Sequence, residues 1–515
     1  MKYRRFAAVD IGTNSIRSII VQVDANGKYK ILDDEKVLVR LGEGLNQTGK
    51  LAPAACERAI EALSRQKKII DGYKVRAIDA VATSAVRKAA NGAAFVKEIQ
   101  EKVGLEINVI SGEEEAELAA LSAFHNFDLE GVRHLIFDIG GGSLELITAQ
   151  GSHVEEMRSL ELGAVFLTET FLKGDPVPPD DYKKLRKYIR RELKEQYANE
   201  RGSFQCLIGS GGTVTSIAAM VTALRRERYD SIHGYELLRS EVVHLLAGLV
   251  RKTNKERRAT PGLNPDRADI IVAGVTVVDE LMDFFQVNVL KVNERGIREG
   301  LILRGLRKQA LLPQERQRRT WRSSILEFAR SCHFDEEHCL HVAKLALEIF
   351  QSLANRYKMG DREKRLLEAA SLMHDVGYFI NYSSHHKHSY HLIRHADLFG
   401  FTPRERELIA NIARYHRKAL PKKKHEEFMR LSPEDRLLVS RLGGIVRICD
   451  GLDRRRNGVV EAVDCRLDGT TLHLRLVGHD DISVELFGAR TKGDLLELAF
   501  DLKLAIQGTP SEAGE

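Results

Sequence analysis

Two stretches of the chain share one hydrophobic rhythm. Phe6 to Val9 is an apolar run, Asp10-Ile11-Gly12-Thr13-Asn14-Ser15 breaks it, and Ile16 to Val23 is mostly apolar again. Leu135 to Phe137, then Asp138-Ile139-Gly140-Gly141-Gly142-Ser143, then Leu144 to Thr148 repeat the pattern. Each copy predicts strand, turn, strand. A strand that ends in Asp-Ile-Gly puts a carboxylate at the mouth of a turn. Its glycines let backbone N–H groups approach an anion, and the hydroxyls add donors. Two such turns, each opening its own half of the N-terminal region, predict duplicated domains facing each other across a cleft that holds phosphate.

Between the turns the pattern alternates. Ala54 to Ile70 predicts a helix, Val75 to Val81 a strand, Ala93 to Val103 a helix, Ile107 to Ile110 a short strand, and Glu114 to Phe124 a helix. Residues 1–127 therefore read as one α/β domain. Residues 128–311 repeat the plan. Cys206-Leu207-Ile208 runs into Gly209-Ser210-Gly211-Gly212-Thr213 and a helix from Val214 to Leu224. Tyr182 to Tyr197 is a long charged helix, and Gly296-Ile297-Arg298-Glu299-Gly300 leads into another. Leu312-Pro313 and the charged run to Arg319 predict a linker. Apolar residues at 3–4 spacing in Leu340–Leu353 and Glu363–Met373 make residues 312–458 a helical domain. In residues 459–515, Leu472, Leu474 and Leu476 alternate with polar positions, as do Ile482, Val484 and Leu486. Both predict strands, with a helix from Asp494 to Leu504 and a disordered end from Gly508 to Glu515.

Composition adds mainly exclusions. Of 515 residues, 43% are hydrophobic and 30% charged, as in a soluble globular protein. No apolar stretch reaches the ~20 residues a membrane span needs. Met1 to Arg5 runs straight into a strand without a signal-peptide core, and the six scattered cysteines form no C-x-x-C pair; cytoplasm is the expected compartment. The net charge of +6, from 79 basic and 73 acidic residues, is mild. Basic clusters at Arg225–Arg228, Arg257-Arg258, Arg316–Arg319, Lys422–Lys424 and Arg454–Arg456 read either as solvated faces or as a track for a long polyanion. No aromatic interleaving or zinc-finger spacing points to specific nucleic acid recognition.

Further acids enter the chemistry. Ile110-Ser111-Gly112-Glu113-Glu114-Glu115-Ala116 sits between a strand and a helix. Acids at a helix start complement its positive end and Ser111 can cap it, but a carboxylate beside the second turn can also activate water for attack on phosphorus. Glu145 follows Ser143 by two residues, so both side chains return to one face of the strand. With Asp138 it offers the oxygen ligands Mg²⁺ uses; an ordinary strand residue is the alternative. Thr83-Ser84-Ala85-Val86-Arg87 reads as an oxyanion clamp at a helix start, or as an exposed helix arginine.

These words, in this order, resemble the exopolyphosphatase and guanosine pentaphosphate phosphohydrolase family, part of the actin, Hsp70 and sugar kinase superfamily. The resemblance covers residues 1–300 through Asp10–Ser15, Thr83–Arg87, Ile110–Ala116, Asp138–Glu145, Gly209–Thr213 and Gly296–Gly300. It implies two ribonuclease-H-like halves and Mg²⁺-dependent removal of terminal phosphate from inorganic polyphosphate or guanosine pentaphosphate. It implies Glu115 as the base for water and Asp138 and Glu145 as metal-associated acids. Phosphate contacts are implied for Asp10, Gly12, Thr13, Asn14, Ser15, Arg87, Gly140, Gly141, Gly142 and Ser143. Gly209, Ser210, Gly211, Gly212 and Thr213 correspond to the superfamily's nucleotide loop, for nucleotide or further phosphate. A homodimer is expected from the resemblance alone.

The helical domain carries a second constellation, His341, His374-Asp375 and Asp450. Imidazoles and carboxylates converging from separate helices can hold one or two divalent metals. The order resembles the HD superfamily of metal-dependent phosphohydrolases, which implies a second divalent metal site; an inherited scaffold whose histidines pack or bind anions is the alternative. His388, His391 and His395 share a helical face beside His385 and His386, as extra ligands or as surface. The readings in order are a processive exopolyphosphatase, a guanosine pentaphosphate 5′-phosphohydrolase, a phosphate or nucleotide sensor with an HD-domain effector, and a sugar-kinase-like phosphotransferase.

Overall fold

The twin rhythms fold into two sheets with one strand plan. The computed structural model describes residues 4–24, 27–198, 202–309, 319–479 and 481–510. It divides into two compact units, residues 1–318 and 319–515. The expected linker from Leu312 to Arg319, its last residue excepted, and the tail beyond Pro510 lie outside the described residues.

In the first sheet, β1 (Arg4–Ile11), β2 (Ser15–Val23) and β3 (Tyr29–Leu38) form an antiparallel meander. β4 (Ala77–Ala82) joins β1 in parallel and β5 (Asn108–Val109) joins β4, giving the order β3-β2-β1-β4-β5. The second sheet repeats this with β6 (Arg133–Ile139), β7 (Leu144–Gln150), β8 (His153–Leu160) and β9 (Cys206–Ser210). β10 (Glu236–Leu238) and β11 (Val289–Val292) complete it, in the order β10-β11-β9-β6-β7-β8. A three-strand meander followed by parallel strands reached through helices is the ribonuclease-H-like plan, present twice as expected.

Strand β1 is buried on both faces, as a strand between covering helices must be. Ala7, Val9 and Ile11 pack with the helix Pro53–Gly72. Phe6 and Ala8 face a layer shared by both sheets, which takes in Ile136, Ile147 and Ile208 and the helices Gly112–Asn126 and Gly296–Lys308. Those two helices touch closely: a Cβ on Gly300 would lie 2.2 Å from the Leu118 carbonyl oxygen. Beside that contact, buried Glu299 accepts from Tyr29 Oη at 2.5 Å, Ser122 Oγ at 3.0 Å and Arg295 Nη1 at 3.1 Å. The Gly296–Gly300 stretch thus ties the two halves together behind the twin turns.

The second unit is helical around one core, with a sheet of β12 (Val460–Asp468), β13 (Thr471–Gly478) and β14 (Lys503–Pro510). Two expectations fail here. Ile482, Val484 and Leu486 lie at the start of the helix Ser483–Lys492, not in a strand. Ile482 just before it and Glu485, Gly488 and Ala489 within it are buried, a helical spacing that the short alternation hid. The helix expected over Asp494–Leu504 ends at Phe500, where Asp501 takes φ 54°. Leu504 and Gly508 belong to β14, which pairs in parallel with β13. No described helix is long and apolar enough to cross a membrane.

Candidate active site

The two turns are closed by the same hydrogen bond. Gly12 N–H donates to the Ser15 carbonyl at 3.1 Å, and Gly140 N–H to the Ser143 carbonyl at 3.0 Å. Strand register then sets Asp10 opposite Arg17 in one copy and Asp138 opposite Glu145 in the other. The duplicated hairpins have therefore diverged, one placing a cation where the other places an acid. They also touch. A Cβ on Gly141 would meet Thr13 Cβ at 2.8 Å, and one on Gly142 would meet Ser84 Oγ at 2.6 Å and Thr13 Oγ1 at 3.1 Å. Glycine at these positions is what allows the loops to close on each other.

The glutamate run resolves into two roles. Glu114 N–H donates to Ser111 Oγ at 3.1 Å, and the Glu114 carboxylate accepts from Ser111 N–H at 2.8 Å, a capping box at the start of the helix Gly112–Asn126. One residue on, Glu115 turns inward and is 4% exposed. Arg87 stands behind it. Its Nη1 donates to the Ile110 carbonyl at 2.6 Å and lies 3.3 Å from Glu115 Oε2. Arg87 therefore orients the Glu115 carboxylate and is not among the residues that line the cleft, where other arginines stand.

Four carboxylates lie buried in and beneath the cleft, with Arg17, Arg87 and Arg298 close enough to offset part of their charge. Burial, then repulsion from Glu145, holds the Glu115 carboxyl well above the usual range. Burial and the charge on Asp138 push Glu145 up to about 7. Burial carries Asp10 up to about 6 against the pull of Arg17, and burial also raises Asp138 although Ser210 Oγ donates to it. Glu145 Oε1 accepts from Ser159 Oγ at 2.9 Å, while its Oε2 is buried without a hydrogen bond. A buried acid with an unsatisfied oxygen among three more acids is the environment a hard, oxygen-seeking dication relieves. The donor set therefore fits Mg²⁺, with Asp138 and Glu145 as the residues to hold it.

The cleft occupies about 820 Å³, its open mouth included. Asp10, Gly12, Thr13, Asn14, Ser15, Gly140, Gly141, Gly142 and Ser143 line it, with Glu115 and Asp138. From the third glycine loop only Gly211 and Gly212 reach the lining. Gly209 packs against the Phe137 ring, Ser210 serves Asp138, and Thr213 Oγ1 accepts from Arg267 Nη2 at 3.4 Å. Glu145 lies beneath the lining, fully buried. Sequence reasoning missed the lining arginines Arg17, Arg267 and Arg298, and Arg295 beside them. Burial and the nearness of Arg17 bring Arg267 down to about 10, and burial with Arg17, Arg267 and Arg298 brings Lys36 down to about 8. Arg17 had a legible signal, since it stands two residues past Ser15 as Glu145 stands past Ser143. Arg267, on a single 3₁₀ turn after Pro265, had none.

In the second unit, His374, Asp375 and Asp450 come together, but His341 does not join them. Its Nε2 pairs with the Val460 carbonyl at 2.8 Å. His338, one turn earlier on the helix Glu336–Tyr357, takes the inward place. His385 and His416 complete a second trio with Asp375. His391 and His395 are exposed and His388 half-buried, so that face is surface.

The Ppx/GppA phosphatase family model matches residues 19–309, and the model of that family's domain III matches residues 321–486. The Aquifex aeolicus member of the Ppx/GppA family is similar at 30% identity and a TM-score of 0.52, over 60% of this chain and 99% of that one. An exopolyphosphatase from Cytophaga hutchinsonii is similar at 28% identity and a TM-score of 0.56, over 60% of this chain and all of its own. With twin ribonuclease-H-like sheets, an acid-lined glycine cleft and more than half its length matched, the chain belongs to the Ppx/GppA phosphatase family.

Proposed function

We propose that the cleft of the first unit releases the terminal phosphate of inorganic polyphosphate by attack of water, with Glu115 as the general base. One observation favours the polymer over guanosine pentaphosphate. Among the described residues the cleft lining is mostly arginines, hydroxyls, glycines and acids, with Asn14 and the isoleucines Ile139, Ile270 and Ile297, and it includes no aromatic side chain on which a guanine could stack. The likeness to an exopolyphosphatase of known structure supports the same reading.

The proposed chemistry draws on the geometry of the cleft. Backbone N–H groups of the twin turns and the hydroxyls of Thr13, Ser15 and Ser143 take the non-bridging oxygens of the terminal phosphate. Glu115, steadied by Arg87, accepts a proton from water as the water oxygen bonds to the terminal phosphorus. The bond from that phosphorus to the bridging oxygen breaks, and the oxygen stays with the shortened chain while orthophosphate leaves. Arg17, Arg267 and Arg298 offset the charge on the departing chain. Mg²⁺ held by Asp138 and Glu145 would neutralise charge on the transferring phosphoryl group.

Initial rates of phosphate release with Mg²⁺, measured side by side, test the substrate. Long-chain polyphosphate is expected to exceed guanosine pentaphosphate at least tenfold in kcat/KM. A preference for the nucleotide would sink the polymer reading and leave the cleft chemistry standing. Location is tested separately. His374→Ala combined with Asp375→Ala is expected to keep polyphosphate hydrolysis within about twofold, because neither residue belongs to the cleft lining. Loss of hydrolysis in a folded double variant would move the reaction to the second unit.

A further inference from the structure

Arg87 turns away to Glu115, but a hydroxyl from the same Thr83–Arg87 segment stays in the cleft. Thr83 Oγ1 donates to the Ile11 carbonyl at 3.5 Å. Ser84 beside it is 2% exposed and lines the cleft, and its Oγ makes no hydrogen bond among the described residues. Other hydroxyls near the acids are committed, Ser210 to Asp138 and Ser159 to Glu145. A buried hydroxyl without a partner costs stability, and a ligand oxygen would relieve it.

Strand register gives Ser84 a counterpart in the second half. β4 pairs Val81 with Asp10, and β9 pairs Ser210 with Asp138. Ser84 and Thr213 each stand three residues past those partners, at the start of the helices Ser84–Lys88 and Gly212–Leu224. Thr213 is used elsewhere. Its Oγ1 accepts from Arg267 Nη2 at 3.4 Å, and it is not among the residues that line the cleft. The duplicated framework therefore presents this hydroxyl to the cleft from its first half alone.

The position of Ser84 decides what it can touch. It stands where the twin turns meet. The point that a Cβ on Gly142 would occupy is 2.6 Å from Ser84 Oγ and 3.1 Å from Thr13 Oγ1, and a Cβ on Gly141 would lie 2.8 Å from Thr13 Cβ. With the turns in contact, a polyanion has no passage between them and ends against them. A terminal phosphate carries three non-bridging oxygens. An internal one carries two, because its other oxygens bridge. The backbone donors of the cleft come in two sets, one from each turn, and Ser84 adds a donor from a third segment. On the reading that this cleft releases terminal phosphate, we infer that Ser84 recognises the chain end, its hydroxyl donating to the non-bridging oxygen that a terminal phosphate has and an internal one lacks. An internal phosphate leaves that hydroxyl buried and unpaired, and a site discriminates most strongly through a polar group the wrong ligand leaves unpaired.

The full chain and its Ser84→Ala variant are compared in Mg²⁺. Two inhibitors of polyphosphate hydrolysis separate end from middle: a methylene-bridged linear triphosphate, which has ends and resists cleavage, and cyclic trimetaphosphate, which has none. The variant is expected to lose at least about tenfold in kcat/KM on long-chain polyphosphate, the worth of one hydrogen bond to a charged oxygen. Ki for the linear inhibitor should rise by the same factor, and inhibition by the cyclic one should stay within twofold. The unfolding midpoint without ligand should be equal or higher, because alanine removes an unpaired polar atom. An unchanged Ki for the linear inhibitor overturns the inference. So does an equal shift for both inhibitors, or a loss of activity that follows a lowered unfolding midpoint. Guanosine pentaphosphate also ends in a terminal phosphate, so a wild-type preference for the nucleotide would overturn the polymer reading and leave these outcomes for Ser84 to be read unchanged.

Discussion

Glu115→Gln is expected to lower kcat for phosphate release about 10²–10⁴-fold, the usual worth of a positioned base, with KM changed little. Glutamine keeps the shape of the side chain and an oxygen that Arg87 can reach. It cannot take a proton from water. The partner Arg87 is not stranded, since its Nη1 also donates to the Ile110 carbonyl. The fold should hold as well. Glu115 is one of four buried acids that repel one another, so removing its charge relieves the metal-free protein rather than leaving a hole. Near-normal turnover in this variant would remove Glu115 from the role of base. A lost thermal transition in place of lost turnover would show that the carboxylate is structural.

Much of this site was written locally. A turn of Asp-Ile-Gly-x-x-Ser carries its own conformation through glycine and a closing bond to the serine carbonyl, so sequence alone locates it, and repetition locates the second copy. The same is true of Ser111 and Glu114, where cap spacing is a local rule. That rule also shows why the run held two meanings. One position on the first turn satisfies the cap while the next is rotated into the cleft, and only the packing of the helix decides which is which.

What sequence did not give was set by tertiary crossing. His338 and His341 are three apart on one helix, both near its inner side, and the choice between them depends on where β12 passes. His416 lies far along the chain from His385 and shares no motif with it; only the fold brings the two Nε2 atoms to 3.2 Å. The 482–486 segment failed for a different reason. Three apolar residues at alternate positions suit a strand and also the start of a helix, and the helical reading becomes visible only when buried Ala489 is included.

Glu145→Gln should act on stability and activity with opposite signs. Glu145 is raised from 4.5 to about 7 in the folded protein, so folding favours its protonated form. Its stabilising contribution is fully present below the unfolded value near 4.5 and is lost as pH rises to about 7, which amounts to about 3 kcal/mol. Glutamine is neutral throughout and still accepts from Ser159. In chelator, then, urea unfolding should show wild type losing ground to the variant between pH 4.5 and 7, and the variant ahead by about 3 kcal/mol at pH 8. Added Mg²⁺ should reverse the order, because wild type alone keeps the full acid set that binds it. Phosphate release should fall at least 10²-fold in the same variant, since the charge that repels Asp138 without metal is the charge proposed to hold Mg²⁺. Parallel pH profiles for the two proteins in chelator would mean that the Glu145 charge is compensated within the protein, and that the acids are not held in readiness for a cation.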